Sequence, residues 1–383
     1  MINFSVPTNY TDNQLFELDK LNKESSNGRK IKELYDSMLG APIGTIRPAV
    51  TLPQINEAEL LDYITKAKKY NFEFDYIMNG TVSDGIEYSD EGKQQIIDFV
   101  GKLLNAGVKR ITVSIPYLIR FIKHYYPNIN ITASICAEIE SVQRAKDFEA
   151  IGADMIMPAK DLNRDFDTLE KIVRNTALDV KVLCTTPCIY KCSDLYYHMN
   201  LSAVRDNRLA SSFVKKGEFL SYTTARCQRR KLEKLEEYIK SPWIRPEDVN
   251  VYEKIGIQNF KLDGRDKKEE YNINVAKAYM QGDYKGNLLY LMQWFYPKDR
   301  EELEREKNEE FWRLGVYVDN KKLDGFISKF ADKKISCASG CGNCRYCEGW
   351  AKKVVEIQQE NVAEYLALLS KTEEDNFAIG AQP

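Results

Sequence analysis

Eight of the nine cysteines in this 383-residue chain fall into two groups whose spacing suits metal chemistry. The first is CTTPCIYKC, which supplies Cys184, Cys188 and Cys192, with Cys227 following in TTARCQRR. Thiolates at short spacing bend a loop around an iron–sulfur cube, and a fourth ligand commonly arrives from farther along the chain. Zinc takes the same donors and is the alternative, although structural zinc sites are usually closed and remote from an active face. The CxxxCxxC signature of radical-SAM chemistry differs by one residue in its second gap. The second group, CASGCGNCRYC, packs Cys337, Cys341, Cys344 and Cys347 into eleven residues. Its CxxCxxC core fits a second [4Fe-4S] cluster, with zinc again the alternative, because zinc ribbons separate their pairs more widely. Cys136, in TASICAE, reads as a buried strand thiol.

Polar residues at strand ends form the second set of candidates. In NFKLDGR a period of two separates Phe260 and Leu262 from Lys261 and Asp263, which aims a lysine and an aspartate into the interior of a barrel, and Arg265 follows. PWIRPED delivers Arg245 beside Glu247 and Asp248, whose simplest role is first-turn helix charge after Pro246. Arg245, Lys261 and Arg265 together would suit a carboxylate-bearing ligand, and an internal salt-bridge set is the plainer reading. Glu138, with Asn79 and Lys160 as weaker companions, occupies a comparable rim position. Of the two histidines, His124 falls in a helical segment, whereas His198 lies near the same rim just after the first cysteine group.

Positioning such residues requires a scaffold with strand ends on one face. From about residue 45 short apolar runs alternate with helical patterns, as in repeated strand–helix units. Eight strands are expected, over 45–50, 74–79, 110–115, 130–136, 153–159, 179–184, 238–245 and 259–263. Gly107, Gly152 and Gly256 fall where helices must turn into strands. The rhythm predicts a TIM-like (β/α)8 barrel over residues 41–286, where chemistry belongs at the C-terminal strand ends. Residues 1–40 read as an N-terminal arm, and 287–383 as a small, mainly helical, cysteine-rich module. No GxGxxG follows the first strand, which argues against a dinucleotide-binding sheet.

Composition narrows the function classes. Fifty-five basic residues against fifty-seven acidic give a formal charge of -2, so there is no global footprint for nucleic acid or an anionic membrane. The start lacks a secretory signal pattern, and no apolar run approaches membrane-span length. A cytoplasmic protein is expected, and in that reducing setting clustered cysteines point to ligation rather than disulfides.

GIQNFKLDGRDKKEEYNINVAKAY and ASICAEIESVQRAKDFEAIGADMIMPAKDL, with SPWIRPED between them, resemble the U32 family, historically labelled peptidases or collagenases. The resemblance spans roughly residues 45–290. It implies a TIM-like barrel with a [4Fe-4S] cluster on four cysteines, Cys184 matching the family's cysteine after the sixth strand and Cys227 its late ligand. It further implies oxygen-independent hydroxylation of RNA pyrimidines or a ubiquinone precursor, with prephenate as an oxygen source in some members. The C-terminal CASGCGNCRYC departs from those hydroxylases.

An iron–sulfur redox enzyme explains both cysteine groups and the polar rim together. Its expected partners are an anionic small-molecule, peptide or RNA substrate and an electron donor such as ferredoxin or flavodoxin, with prephenate or SAM as candidate co-reactants. The basic stretches RDNRLASSFVKKGEF and RCQRRKLEK offer local charge for phosphate. A peptidase and a non-catalytic electron-transfer or scaffold protein with structural metal are the other readings. The sequence has neither HExxH nor GxSxG.

Overall fold

The computed structural model describes residues 1–47, 52–203, 221–292, 315–337, 340, 341, 343–375 and 377. Eight parallel strands close into a barrel in chain order: β1 (Ile2–Pro7), β2 (Arg29–Asp36), β3 (Glu73–Met78), β4 (Arg110–Val113), β5 (Asn130–Ala133), β6 (Met155–Ile156), β7 (Asp179–Leu183) and β8 (Asn259–Lys261). β8 pairs with β1 to complete the ring. Helices α1 (Asp12–Glu24), α2 (Glu57–Lys69), α3 (Asp90–Ala106), α4 (Pro116–Tyr125), α5 (Val142–Ala150) and α6 (Phe166–Asn175) follow the first six strands. Helices Val249–Glu253 and Glu269–Gln281 complete the set. The fold is the expected TIM-type (β/α)8 barrel.

Local chemistry explains the helix ends. Asn56 and Glu59 form a reciprocal capping box at the start of α2, and Ser89 caps α3 by accepting from the Gly92 amide. Gly107 and Gly152 turn the chain toward β4 and β6 with left-handed backbone, φ 106° and 104°.

Two expected strands are corrected, and both errors concern the ends of the barrel. Residues 1–40 are no arm but supply β1, α1 and β2. The charged run RKIKELYD hid a strand because Lys32 is an extra residue opposite the Phe4–Ser5 step. Strict alternation would put Ile31 and Leu34 on opposite faces, and the bulge brings them onto one, opposite Phe4 and Val6. The strand expected over 45–50 is a loop at Thr45–Arg47, and 48–51 lie outside the described residues. The strand expected over 238–245 is also absent: β7 pairs directly with β8, Lys181 opposite Asn259, which leaves no place between them. That segment instead ends the helix Glu236–Lys240 and runs on to Arg245, where Ile244 donates to the Cys184 carbonyl.

The apolar core lies between strands and helices, where Phe4, Phe260, Tyr252 and Tyr279 pack with ring centroids about 6 Å apart. The barrel interior is charged. Glu33 accepts from Ser5 at 2.6 Å, pairs with Arg110 at 3.2 Å, and meets Lys181, which also stands 3.6 Å from Asp75. Thr112 donates to the Asp75 carboxylate. Burial alone would raise the Glu33 carboxyl, yet Lys181 and Arg110 hold it down at about 2.

Beyond the barrel, β9 (Val316–Val318) and β10 (Val355–Ile357) form an antiparallel pair. Helix Tyr346–Val354 packs on Glu236–Lys240, and Gln359–Asp375 packs on Ser221–Glu233. The C-terminal segment thus grips the excursion between β7 and β8. Among the described residues no helix is long and apolar enough to cross a membrane.

Candidate functional site

Strand alternation decides the fate of the first cysteine. Lys181 on β7 points into the barrel, so Val180, Val182 and Cys184 point out. Cys184 is fully buried in the apolar core, where burial raises its thiol against the opposing charge of Arg29. It stands apart from the other cysteines, and its expected role as a ligand is corrected. Its carbonyl and amide tie β8 and the 241–245 segment together instead.

The remaining three do converge. The chain after β7 passes Pro187 and Cys188, bends at Lys191 with a left-handed φ of 49°, and reaches Cys192. Helix Ser221–Glu233 brings Cys227 against the same loop. Burial pushes the Cys227 thiol up to about 11, with Lys231 opposing and Cys188 and Cys192 adding to the rise. Lys231 is itself buried, and its ammonium donates to the Pro187 carbonyl. A second buried cation, Lys160, follows β6 in a short 3-10 helix, Lys160–Arg164. Burial would lower its ammonium, but Cys188, Asp161 and Glu138 raise it on balance, with Asp161 at 3.2 Å. Glu138, a non-glycine residue held at φ 48°, is raised by burial against the pull of Lys160. Three thiols, two ammonium groups and a carboxyl therefore share one side of the mouth.

The other side is built on β2 and β8. Lys261 points inward as predicted, its ammonium 3.6 Å from the centre of the Tyr35 ring and without an ion pair among the described residues. Burial lowers it to about 8, with Asp75 opposing. Asp263 also points inward, to Arg47 at 2.5 Å. Arg265 donates to Ser37 at 3.2 Å and Thr45 at 3.1 Å, and stands 3.8 Å from Asp36. Asp36 is fully enclosed, and burial raises it to about 7 despite Arg265. Thr45 continues the network to Asn79 at 2.7 Å, and Asn79 reaches Ser134 at 3.3 Å and Cys136 at 3.7 Å. His198 is drawn to this rim: burial and the charge of Arg47 both lower its imidazole, with Asp194 opposing.

Arg245 leaves the group of expected substrate cations. Its guanidinium clasps Asp248 through two 2.9 Å contacts and reaches the Asn320 carbonyl at 2.7 Å and Asp324 at 3.1 Å. Glu247 receives Asn320 and Lys321 in the same way. This cluster faces outward and fastens the C-terminal segment. Sequence reasoning missed Arg47, Asp36 and Lys231. The first two fell in or beside the supposed arm, and Lys231 sits in a charged run that reads as solvated helix.

The second cysteine group lies next to the first. Cys337, Cys341 and Cys347 line a narrow cleft with Asp161, Arg164, Tyr190, Lys240 and Pro242. Cys344 joins them electrostatically. Tyr190 belongs to the loop between Cys188 and Cys192, so that one loop touches both groups. Among the described residues no three His, Cys, Asp or Glu side chains converge closely enough to hold a single metal ion. Both groups offer thiol donors, the type of ligand that iron–sulfur clusters and zinc share.

Comparison with known proteins agrees with the earlier resemblance. Over 348 residues, 90% of this chain and 95% of the relative, it is 27% identical to an uncharacterized protease of Methanocaldococcus jannaschii. A solved U32 peptidase aligns with 52% of this chain and 74% of its own at 16% identity and a TM-score of 0.43. The native KDPGal structure aligns with 73% of this chain and 92% of its own at 10% identity and a TM-score of 0.37. Residues 53–314 match peptidase family U32, and the chain belongs to that family.

Proposed function

We propose that this protein is an iron–sulfur redox enzyme that modifies a small anionic substrate at the barrel mouth by oxygen-independent hydroxylation or a related reaction. The observation that carries this reading is the convergence of Cys188, Cys192 and Cys227 beside Lys160, Lys231 and Glu138, with Cys184 turned away. A [4Fe-4S] cluster held there would supply one-electron chemistry and, with three protein thiolates, an iron open to substrate. Lys160 and Lys231 offset thiolate charge that would otherwise be costly to bury. Glu138, raised by burial, is suited to hold or release a proton beside Lys160.

Across the mouth Lys261 offers a substrate anion an ammonium that has no ion pair among the described residues, while Asp263 and Asp36 fix Arg47 and Arg265 beside it. These cations are deep in the barrel, which favours a compact carboxylate over a phosphodiester backbone. The basic stretch 205–219 suggested for RNA contact lies outside the described residues. Prephenate is one carboxylate that this chemistry admits, and SAM is the alternative co-reactant. The family label favours a peptidase as second reading.

Anaerobic purification with iron and sulfide analysis and EPR tests the proposal. About four irons lost on changing Cys188 and Cys192 to serine support it. Bound zinc without iron, or peptide hydrolysis that survives those substitutions, sinks it.

A further inference from the structure

The C-terminal cysteines have a directional arrangement. Cys337 and Cys347 are half-buried and face Arg164, whereas Cys341 and Cys344 are exposed. Tyr190, held between Cys188 and Cys192, contributes to the cleft that Cys337, Cys341 and Cys347 line. The Lys160–Arg164 3-10 helix spans the same gap from the other side. Lys160 at its start faces Cys188, and Asp161 and Arg164 line the C-terminal cleft. Arg164 is 4% exposed, its guanidinium 4.6 Å from the Trp243 ring centre and 4.8 Å from that of Phe326, so a fixed cation is held against the thiols. A zinc site needed only to staple the module would have no use for two exposed thiols on one side and a shared loop on the other.

The segment that carries the exposed thiols has more basic than acidic residues. Between Ser328 and Lys353 there are six lysines and arginines and two acidic residues, a local excess of four. Lys333 is engaged by Asp167 and Glu170, Lys334 by Asp332, and Lys352 by Glu348, which Arg345 also approaches at 3.9 Å while remaining 86% exposed; Lys329 and Lys353 stand over Tyr346 and Trp350.

We propose that Cys337, Cys341, Cys344 and Cys347 hold a second iron–sulfur cluster that receives electrons from an acidic one-electron carrier protein docked at Cys341–Cys344 and passes them across the Tyr190 loop to the barrel site. The proposal rests on the barrel site being an iron–sulfur site. Each transfer oxidises the carrier by one electron and reduces first the outer and then the inner site, with no bond made or broken. A two-electron change in substrate requires two such transfers. The exposure of Cys341 and Cys344 makes the outer site the more accessible entry, and the basic residues of its segment steer an acidic donor to it.

The test uses the full chain, reconstituted anaerobically with ferrous iron and sulfide. Wild type is expected to hold about eight irons, and Cys341→Ala/Cys344→Ala about four. Two neighbouring reduced clusters broaden and split each other's EPR signals, and the double substitution should leave one simple signal from the barrel. A small acidic ferredoxin as donor should reduce the barrel site of that variant at least tenfold more slowly than in wild type, while dithionite reduces both. The same rate should fall with rising ionic strength and on Arg345→Glu. A variant with wild-type iron content and spectrum, zinc at the C-terminal site, or undiminished reduction by ferredoxin would overturn the proposal. Loss of iron in Cys341→Ala/Cys344→Ala together with retention of iron in Cys188→Ser would instead overturn the barrel reading, and with it the transfer to the barrel, while leaving the outer cluster in place.

Discussion

The two sides of the barrel mouth are built on opposite plans. On the β2–β8 side the working groups stand on or directly beside strands, and each charge has a defined place: Asp263 with Arg47, Arg265 with Asp36, Lys261 over Tyr35. On the β6–β7 side they stand on loops and excursions, with Cys188 and Cys192 in a bent loop, Cys227 on a helix and Lys160 in a 3-10 turn. The strand side is a fixed electrostatic frame. The loop side has the latitude to wrap a large group, at the cost of depending on what it wraps.

The sharpest break between the two plans comes at Cys184, the last cysteine still governed by strand geometry. Cys184→Ser should leave the barrel iron in place, because the side chain faces the core, and should act only through burial of a hydroxyl in place of a thiol. Cys188→Ser should lose the barrel cluster completely. Iron analysis of the two variants side by side decides the point, and loss of iron in both would restore Cys184 as a ligand.

Legibility in the sequence follows the same division. Six of the eight strands, the (β/α)8 architecture and the inward aim of Lys261 and Asp263 all follow from period-two patterning. β1 and β2 escaped because the bulge at Lys32 broke that period in an already charged segment. Cys184 was misassigned because spacing outweighed alternation, although Lys181 three residues earlier carried the correct phase. Arg245 was placed on a strand that direct pairing of β7 with β8 forbids. The neighbourhood of the two cysteine groups had no local signal at all, since 145 positions separate Cys192 from Cys337 in the sequence. Only the long-range packing of the tail on the excursion creates it.

Beneath the strand side, Lys181 is the common partner of Glu33 and Asp75. Lys181→Met leaves two buried carboxylates with only Arg110 and hydroxyl partners, and should destabilise the protein by about 3–5 kcal/mol. Urea unfolding measures this. The thiol side should be indifferent, so iron content per folded chain stays at its wild-type value. A loss below about 1 kcal/mol would mean that the interior network contributes little.

Asp36 gives the strand side a pH dependence of its own in the acid range. Its carboxyl is raised by burial to about 7, against the opposing pull of Arg265, whereas an unfolded aspartate ionises near ~3.9. Between those values the folded protein keeps a proton that the unfolded chain has released. Stability from this group therefore falls as pH rises from about 4 to about 7, by up to about 4 kcal/mol, and levels off above. Asp36→Asn should flatten that slope and be the more stable form at pH 8. Parallel stability curves for wild type and variant across this range would refute the assignment.

Arg164 allows the loop side itself to be divided into inner and outer parts. The guanidinium is locked by the Ile239 carbonyl at 2.6 Å and the Ser241 carbonyl at 2.5 Å, beneath Trp243 and Phe326. Its positive charge acts on Cys337 and Cys347, while Lys160, four residues earlier, acts on Cys188. Reduction adds negative charge to a thiolate-bound cluster, so a nearby cation favours the reduced state and its removal must lower the midpoint potential. Arg164→Met should lower the outer potential by about 60 mV, the one-electron equivalent of a tenfold change in equilibrium. The inner potential should move less, because Lys160 and Lys231 remain. An EPR-monitored redox titration resolves the two signals. Equal shifts at both would show that Arg164 sets a common field for one continuous site, and no shift at either would remove it from the electrostatics of both.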